Sequence, residues 1–318
     1  MASWSELLDE HGKNKDPNWF ARRLQEQLDK IEKLRKPESV IFYASSFLQK
    51  PRVGESSTIA REDINGFMNA LYGASTDKGL TLILHTPGGD PNAVESIVEY
   101  LHSKFSYIEV IVPYLAMSGG AMISLASNLL VLGRQSQLGP IDPQIAIGSK
   151  THSARAIREG FRQARENIKS DIKLAHLWAP ILQNMGPSLI VEADKALSYS
   201  KELVINWLTK RMFSDNDDER KKKIVNDIGA YFNAEETEHG SIHTHGQRIG
   251  IQKLQDLRMQ VEALEKDQNL QTEVLTAYHL MTLVFETTAS AKFITSNNGK
   301  MWTKQHLSQV IEAVPAHS

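Results

Sequence analysis

The stretch LHTPGGDPNAVESIVEYL, residues 84–101, runs from the end of an apolar segment through a Pro-Gly-Gly turn into a pattern with apolar residues at helical spacing. Leu80–His85 (LTLILH), which feeds the turn, is a short and nearly continuous apolar run, the mark of a strand buried on both faces. Asn92–Leu101, which leaves it, reads as a helix. The same alternation recurs on either side. Val40–Ser45 (VIFYAS), Ile108–Pro113 (IEVIVP) and Leu129–Gly133 (LLVLG) read as strands, with Ile64–Leu71 on a helix of roughly 12 residues and Gly119–Ala126 on another. Strand and helix at this spacing predict parallel βαβ units with helices on both faces of the sheet, an α/β fold.

The flanks read differently. Residues 17–36 place Phe20, Leu24, Leu28, Ile31 and Leu34 at three- and four-residue spacing among charges, which predicts an amphipathic helix. Beyond Gln144 the strand signal fades, and residues 153–211 are mostly helical in pattern, with Gly186-Pro187 as a break. Ser214–Lys223 is an acidic run followed by a basic one, the solvated start of a helix that continues through Asp227–Phe232. A polar loop follows at His239–Gly250, then a helical stretch at Ile251–Thr287 broken near Asp267. From Ala289 the pattern is weak, as in a segment that frays or wraps a partner. The chain thus divides into a helical extension (1–38), an α/β core (39–150) and a mainly helical region (151–318) that completes the fold. Gln260–Phe285 carries more apolar surface than one packed face needs, which points to a homo-oligomer unless it covers the sheet within one subunit.

Composition excludes several functions. With 36 basic and 38 acidic side chains in 318 residues the net charge is −2, so no overall basic field recruits nucleic acid or an anionic membrane. The absence of cysteine excludes disulfides, thiolate catalysis and cysteine-ligated zinc, and fits a reducing compartment. The start, MASWSELLDEHGKNKD, is too polar for a secretory signal, and no uninterrupted apolar run approaches the roughly 20 residues of a membrane span. The expected setting is cytoplasmic.

In parallel α/β sheets ligands sit beyond the carboxyl ends of the strands, where Thr86-Pro87-Gly88-Gly89 falls. Consecutive glycines let backbone N–H groups approach a ligand atom with no Cβ in the way, as an oxyanion hole requires. Alone, the turn needs no function beyond a positive φ. The next strand ends in a second small-residue turn, Tyr114-Leu115-Ala116-Met117-Ser118-Gly119-Gly120-Ala121, with one hydroxyl where a helix begins. Alone, Ser118 reads as an N-cap, although the same place sets Oγ in the positive end of the helix dipole, which favours an alkoxide.

Together, HTPGGDPNAVE, VPYLAMSGGAMISLAS and SQLGPIDPQ resemble the Clp-protease/crotonase superfamily, within it the peptidases related to signal peptide peptidase A, and most closely the serine dehydrogenase proteinases. The resemblance covers about residues 39–145, and more loosely the loop and helices from 236 to 300. It implies a spiral of ββα units with added helices at both ends, a serine nucleophile at Ser118, and an oxyanion hole from the backbone of Gly88 or Gly89 with that of Gly119.

A serine needs a base, and the superfamily uses either a histidine held by an acid or a lysine kept neutral by burial. Where the Clp peptidase has its histidine this chain reads Leu138-Gly139-Pro140-Ile141-Asp142-Pro143-Gln144, and where that enzyme has its acid this chain has Glu238-His239-Gly240-Ser241-Ile242-His243-Thr244-His245-Gly246. An exchanged triad follows: Ser118, with His245 or His243 as base and Asp142 as its orienting acid. Against it, Asp142 caps a turn or pairs with an arginine and the histidines lie on the surface. Lys150, Lys169 and Lys173 are the candidates for the lysine arrangement, though none sits in a matching motif. The HTH at 243–245, with His239 or His152, invites a metal, yet alternating histidines in extended chain point to opposite faces and no HExxH helix is present. No cofactor is expected: there is no GxGxxG after a strand, and no GxxxxGK[ST] to supply ATP-driven unfolding. The expectation is an ATP-independent serine endopeptidase acting on peptides or proteins. The alternatives are crotonase-like acyl-CoA chemistry, for which a serine is superfluous, and a catalytically inactive assembly scaffold.

Overall fold

The computed structural model describes residues 2–306 apart from 15, 149, 187 and 215–217. In chain order α1 (Trp4–Lys13) and α2 (Trp19–Leu34) precede β1 (Ser39–Ser45), α3 (Asp63–Ala70), β2 (Leu80–His85), α4 (Pro91–Lys104), β3 (Ile108–Val112), β4 (Leu115–Ala116), α5 (Gly119–Leu125) and β5 (Leu129–Leu132). The second half holds β6 (Gln137–Leu138), β7 (Gln144–Ile147), β8 (Lys150–Ser153), α6 (Ala154–Ser170), α7 (Ala175–Met185), α8 (Ser188–Lys210) and α9 (Glu219–Phe232). It closes with α10 (Ile251–Asp256), β9 (Val261–Ala263), α11 (Gln268–Thr287), β10 (Ser290–Ser296) and β11 (Met301–Gln305).

The main sheet has the order β11-β10-β1-β2-β3-β5-β9. Neighbours from β1 to β9 pair in parallel, while β10 runs antiparallel to β1 and β11 antiparallel to β10. Alternation along the strands divides two cores. Ile41, Tyr43, Leu82, Leu84, Val110 and Leu130 face one with α4 and α5, and Val40, Phe42, Ile83, Ile111 and Val131 face the other with α2 and α11. Both faces are therefore covered, which is why these strands read as continuous apolar runs. Past their carboxyl ends the chain forms a second layer of short pairings, Ile59 with Gly89, Thr86 with Ala116, β4 with β6, and Leu138 with Ile249. A long strand, a short second-layer strand and a helix make the ββα unit, repeated along β2–α4 and β3–α5.

The elements of the α/β core lie where the sequence places them, but the C-terminal third departs from the helical expectation. The stretch Ile251–Thr287 is interrupted by β9, which adds the sheet's last parallel strand beside β5. The weakly patterned segment after Ala289 supplies β10 and β11, while 307–318 lie outside the described residues. Helix α3 has 8 residues, shorter than expected, because the chain turns at Leu71 into Gly73, where φ is 77°. The apolar surface of Gln260–Phe285 is covered within the subunit: Leu270, Val274, Leu280 and Leu283 share a core with Leu24, Leu28 and Ile31 of α2. At the C-terminus of α2, Arg35 forks onto the buried Glu109 of β3, with contacts of 2.8 and 2.6 Å, and ties that helix to the sheet.

Candidate active site

The Pro-Gly-Gly turn sits at the carboxyl end of β2, between that strand and α4. Asp90 caps α4, accepting from the Asn92 N–H, and Pro91 occupies the first helical position, so the helix starts sharply after the glycines. Gly88 has φ 96°, and a Cβ there would lie 2.6 Å from the Met117 carbonyl oxygen and 2.7 Å from the Ser118 Cβ. The two glycine-bearing turns are thus in backbone contact, and only a residue without a side chain fits between them. The Gly88 N–H donates to Thr86 Oγ1 at 3.2 Å. Gly89 pairs with Ile59 through neighbouring groups, Ile59 N–H to Gly88 O at 2.8 Å and Asp90 N–H to Ile59 O at 3.0 Å, so its own N–H points away from that pairing. Gly119 opens α5, where the first N–H groups have no intrahelical partner. The Gly89 nitrogen would lie 3.2 Å from a Cβ on Gly119, so the two glycines meet across the turns.

Ser118 joins β4 to α5 with φ 47° and ψ −113°, a backbone region that residues with a Cβ rarely adopt. Its side chain makes no capping hydrogen bond, so the structure removes the simple N-cap reading. The half-buried hydroxyl stands on a strained strand-to-helix turn, in the positive end of the helix dipole.

Asp142 is buried, 4 % exposed, in the segment after β6. His245 Nδ1 lies 2.7 Å from Asp142 Oδ1, across 103 residues of sequence. Gln144 Nε2 lies 3.1 Å from Asp142 Oδ2 and 3.1 Å from His245 Nδ1. The shorter contact sets the tautomer of the neutral ring: Nδ1–H donates to Asp142 Oδ1, Gln144 donates to Oδ2 and merely abuts Nδ1, and Nε2 carries no proton. Two pairings bring this dyad to the end of the sheet where Ser118 sits. Gly139, three residues before Asp142, donates to Ala116 O at 3.3 Å, and Ile249, four residues after His245, exchanges 2.9 and 3.0 Å hydrogen bonds with Leu138. Among the described residues Ser118 and His245 share no hydrogen bond, and the ring contacts of His245 run to Asp142 and Gln144.

The lysine candidates separate from this cluster, while His243 lines the same cleft as the dyad. The His243 side chain is exposed, and its backbone N–H donates to Gln247. Lys150, Lys169 and Lys173 are all exposed, without the burial that the lysine arrangement requires. A cleft of about 650 Å³ opens beside the dyad, lined by Asp142, His243 and His245 and by Ser153, Arg155 and Arg158. The Arg155 guanidinium donates to the carbonyls of Ala234 and Ile242, tying α6 to the loop that carries His245. Among the described residues one group has metal-ligand spacing, Asp227, Glu238 and His239 within 4.8 Å of one another; it includes neither His243 nor His245, and Lys223 sits 3.4 Å from Glu238.

Sequence reasoning weighed neither Gln144 nor His85. His85 ends β2 immediately before the glycine turn, fully buried among Phe47, Tyr114 and Tyr278, and its Nδ1 accepts from the Leu115 N–H at 3.4 Å. Burial pulls its pKa down to about 3, which keeps the ring neutral. Its place inside LHTPGG was visible in the sequence, but its contacts with β4 were not.

Comparison with known proteins adds a family. The model of the ClpP-like SDH-type serine proteinases matches residues 56–305. Two uncharacterized proteins of Methanocaldococcus jannaschii are similar in sequence. One is 40% identical over 87 residues, 27% of this chain and 30% of that protein, and the other 26% identical over 203 residues, 64% of this chain and 59% of that protein. The chain therefore matches less than two thirds of the length of either. Among solved structures, a variant of the membrane-bound stomatin-specific protease 1510-N aligns over 65% of this chain and 92% of its own, with 14% identity and a TM-score of 0.29. No helix among the described residues is long and apolar enough to cross a membrane.

Proposed function

Because the chain belongs to the ClpP-like SDH-type serine proteinases, we propose that it hydrolyses peptide bonds through an acyl-enzyme on Ser118, with His245 as general base and Asp142 as the acid that orients it. The observation that carries this reading is the 2.7 Å contact between His245 Nδ1 and the buried Asp142, which fixes the imidazole by its far nitrogen and leaves Nε2 for the serine proton. Ser118 Oγ attacks the carbonyl carbon while His245 takes its proton; the tetrahedral oxyanion is held by the amides of Gly89 and Gly119. His245 then gives that proton to the leaving amine, and water attacks the acyl-enzyme in the same way. Gly88, whose own N–H is engaged by Thr86, supplies the conformation that lets the two turns meet.

The reading extends to an ATP-independent endopeptidase of proteins or peptides, in a reducing compartment suited to a chain without cysteine. Assembly into a homo-oligomer is supported by α7, an apolar helix with no charged residue and no buried side chain among those described. In the division at 1–38, 39–150 and 151–318, the third part supplies the proposed base.

Labelling by a fluorophosphonate tests the assignment. Wild type is expected to label, Ser118→Ala not at all, and His245→Ala and Asp142→Asn at least about 10³-fold more slowly, while His243→Ala, Lys150→Ala and Lys169→Ala keep the wild-type rate. Labelling that survives Ser118→Ala refutes the nucleophile, and labelling that depends on a lysine instead of His245 refutes the base.

A further inference from the structure

Lys292, in β10, and Asp63, the first residue of α3, are both 0 % exposed, and Lys292 is the one lysine among the described residues in that state. Lys292 Nζ lies 2.5 Å from Asp63 Oδ1 and donates to the Thr58 carbonyl at 2.9 Å. Asp63 Oδ2 accepts from the Ala60 N–H at 3.0 Å and from the Tyr43 hydroxyl at 2.8 Å. The two charges therefore grip the segment 58–60 from both ends, and Ile59, between them, is the residue that pairs with the oxyanion turn.

We infer that the buried Lys292–Asp63 pair positions the Gly89 amide, making Lys292 a positioning residue for the peptidase reaction proposed above, on which this inference rests. Ile59 holds Gly88 O and the Asp90 N–H at 2.8 and 3.0 Å, which sets the peptide planes on both sides of Gly89. The fit has no slack: a Cβ on Gly89 would come within 2.2 Å of the Ile59 carbonyl oxygen. An oxyanion donor is effective only when its direction is fixed before the charge develops, and a second-layer strand of one residue pair is too short to fix it alone. Stability does not explain the ion pair, because burying two charges costs about as much as their attraction returns, and apolar replacements of similar volume are often neutral. Nor is Lys292 free to act as a base, since its ammonium is held between Asp63 and Thr58.

The test uses the full chain and the double variant Lys292→Met/Asp63→Asn, which removes both charges at nearly constant volume. It is expected to melt close to wild type. Hydrogen exchange of the Asp90 amide should quicken about tenfold or more, since its protection comes from Ile59. The fluorophosphonate inactivation rate should fall about 10- to 100-fold at unchanged inhibitor affinity, as expected for a displaced oxyanion donor. Wild-type exchange and inactivation rates in the folded variant, or a loss confined to affinity, would overturn the inference. If the double variant does not fold, Tyr43→Phe takes its place, removing one of the two donors that fix Asp63 Oδ2 against the Ala60 N–H and so loosening the pair's grip on segment 58–60. It should quicken Asp90 exchange and slow inactivation by about threefold, close to the worth of one hydrogen bond, and wild-type values there also overturn the inference. A wild type that never labels refutes the peptidase reading instead, while Asp90 exchange still decides whether the pair holds the turn.

Discussion

Gly88→Ala separates backbone strain from crowding at the site. At φ 96° a Cβ meets the Met117 carbonyl oxygen at 2.6 Å, the Ser118 Cβ at 2.7 Å and the Gly119 nitrogen at 2.8 Å, where ordinary contacts begin at 3.4 Å. Relief requires the two turns to part by between 3.4 − 2.8 = 0.6 Å and 3.4 − 2.6 = 0.8 Å. A misplacement of about 1 Å between reacting groups costs about 10²-fold in rate, so fluorophosphonate labelling should slow by about that factor. The unfavourable φ adds a stability loss of about 1–2 kcal/mol, a fall of about 2–8 °C in Tm for a chain of this class. Gly73→Ala is the control. Its φ is 77°, yet nothing lies within 4 Å of the added carbon, so it should lose comparable stability and label at the wild-type rate. Wild-type labelling by Gly88→Ala, or an equal slowing by Gly73→Ala, would refute the argument that contact between the turns sets the geometry.

Three further outcomes follow from the same coordinates. Gln144→Leu removes the 3.1 Å donor to Asp142 Oδ2 and should slow labelling about 3- to 10-fold, the worth of one hydrogen bond; an unchanged rate removes Gln144 from the site. Because His85 has a pKa of about 3 when folded against 6.5 in the open chain, the unfolded state takes up the proton more readily. Stability is then complete above pH 6.5 and falls by about 1.4 kcal/mol per unit as the pH drops toward 3. Urea unfolding should show wild type losing about 2 kcal/mol more than His85→Gln between pH 7 and pH 5. Arg35→Met strands the 1 % exposed Glu109 and should cost about 3–5 kcal/mol in the same assay, with most of it restored in Arg35→Met/Glu109→Gln.

What the sequence made legible follows from where its patterns are local. Leu80–His85, Ile108–Val112 and Leu129–Leu132 are buried on both faces, and each is followed by its own turn and helix, so every unit announces itself. The later strands have no such support. In β10, SAKFITS, a lysine stands at an inward position that its pattern would give to an apolar residue, because the partner, Asp63, is 229 residues earlier in the chain. Strand β9 is three residues between two helices, too short for a period, and is held by β5 alone. At the site, Ser118 and the glycines could be singled out by motif, and Asp142 and His245 only through the resemblance to the Clp peptidase, with His243 and the lysines left open. Neither the positive φ of Ser118 nor the choice between Gly88 and Gly89 can be read from letters, since both depend on what the neighbouring turn touches.

The pairing of Leu138 with Ile249 has a consequence for the order in which the site comes into being. On a chain made from the N-terminus, the serine and its glycine turns emerge first, while the histidine arrives more than a hundred residues later and docks only when Ile249 reaches Leu138. Until then a nascent polypeptide would hold the proposed nucleophile without its proposed base, flanked by its own unfolded segments. On the proposed reading, such a chain would be inert during the interval when it is itself the most accessible substrate.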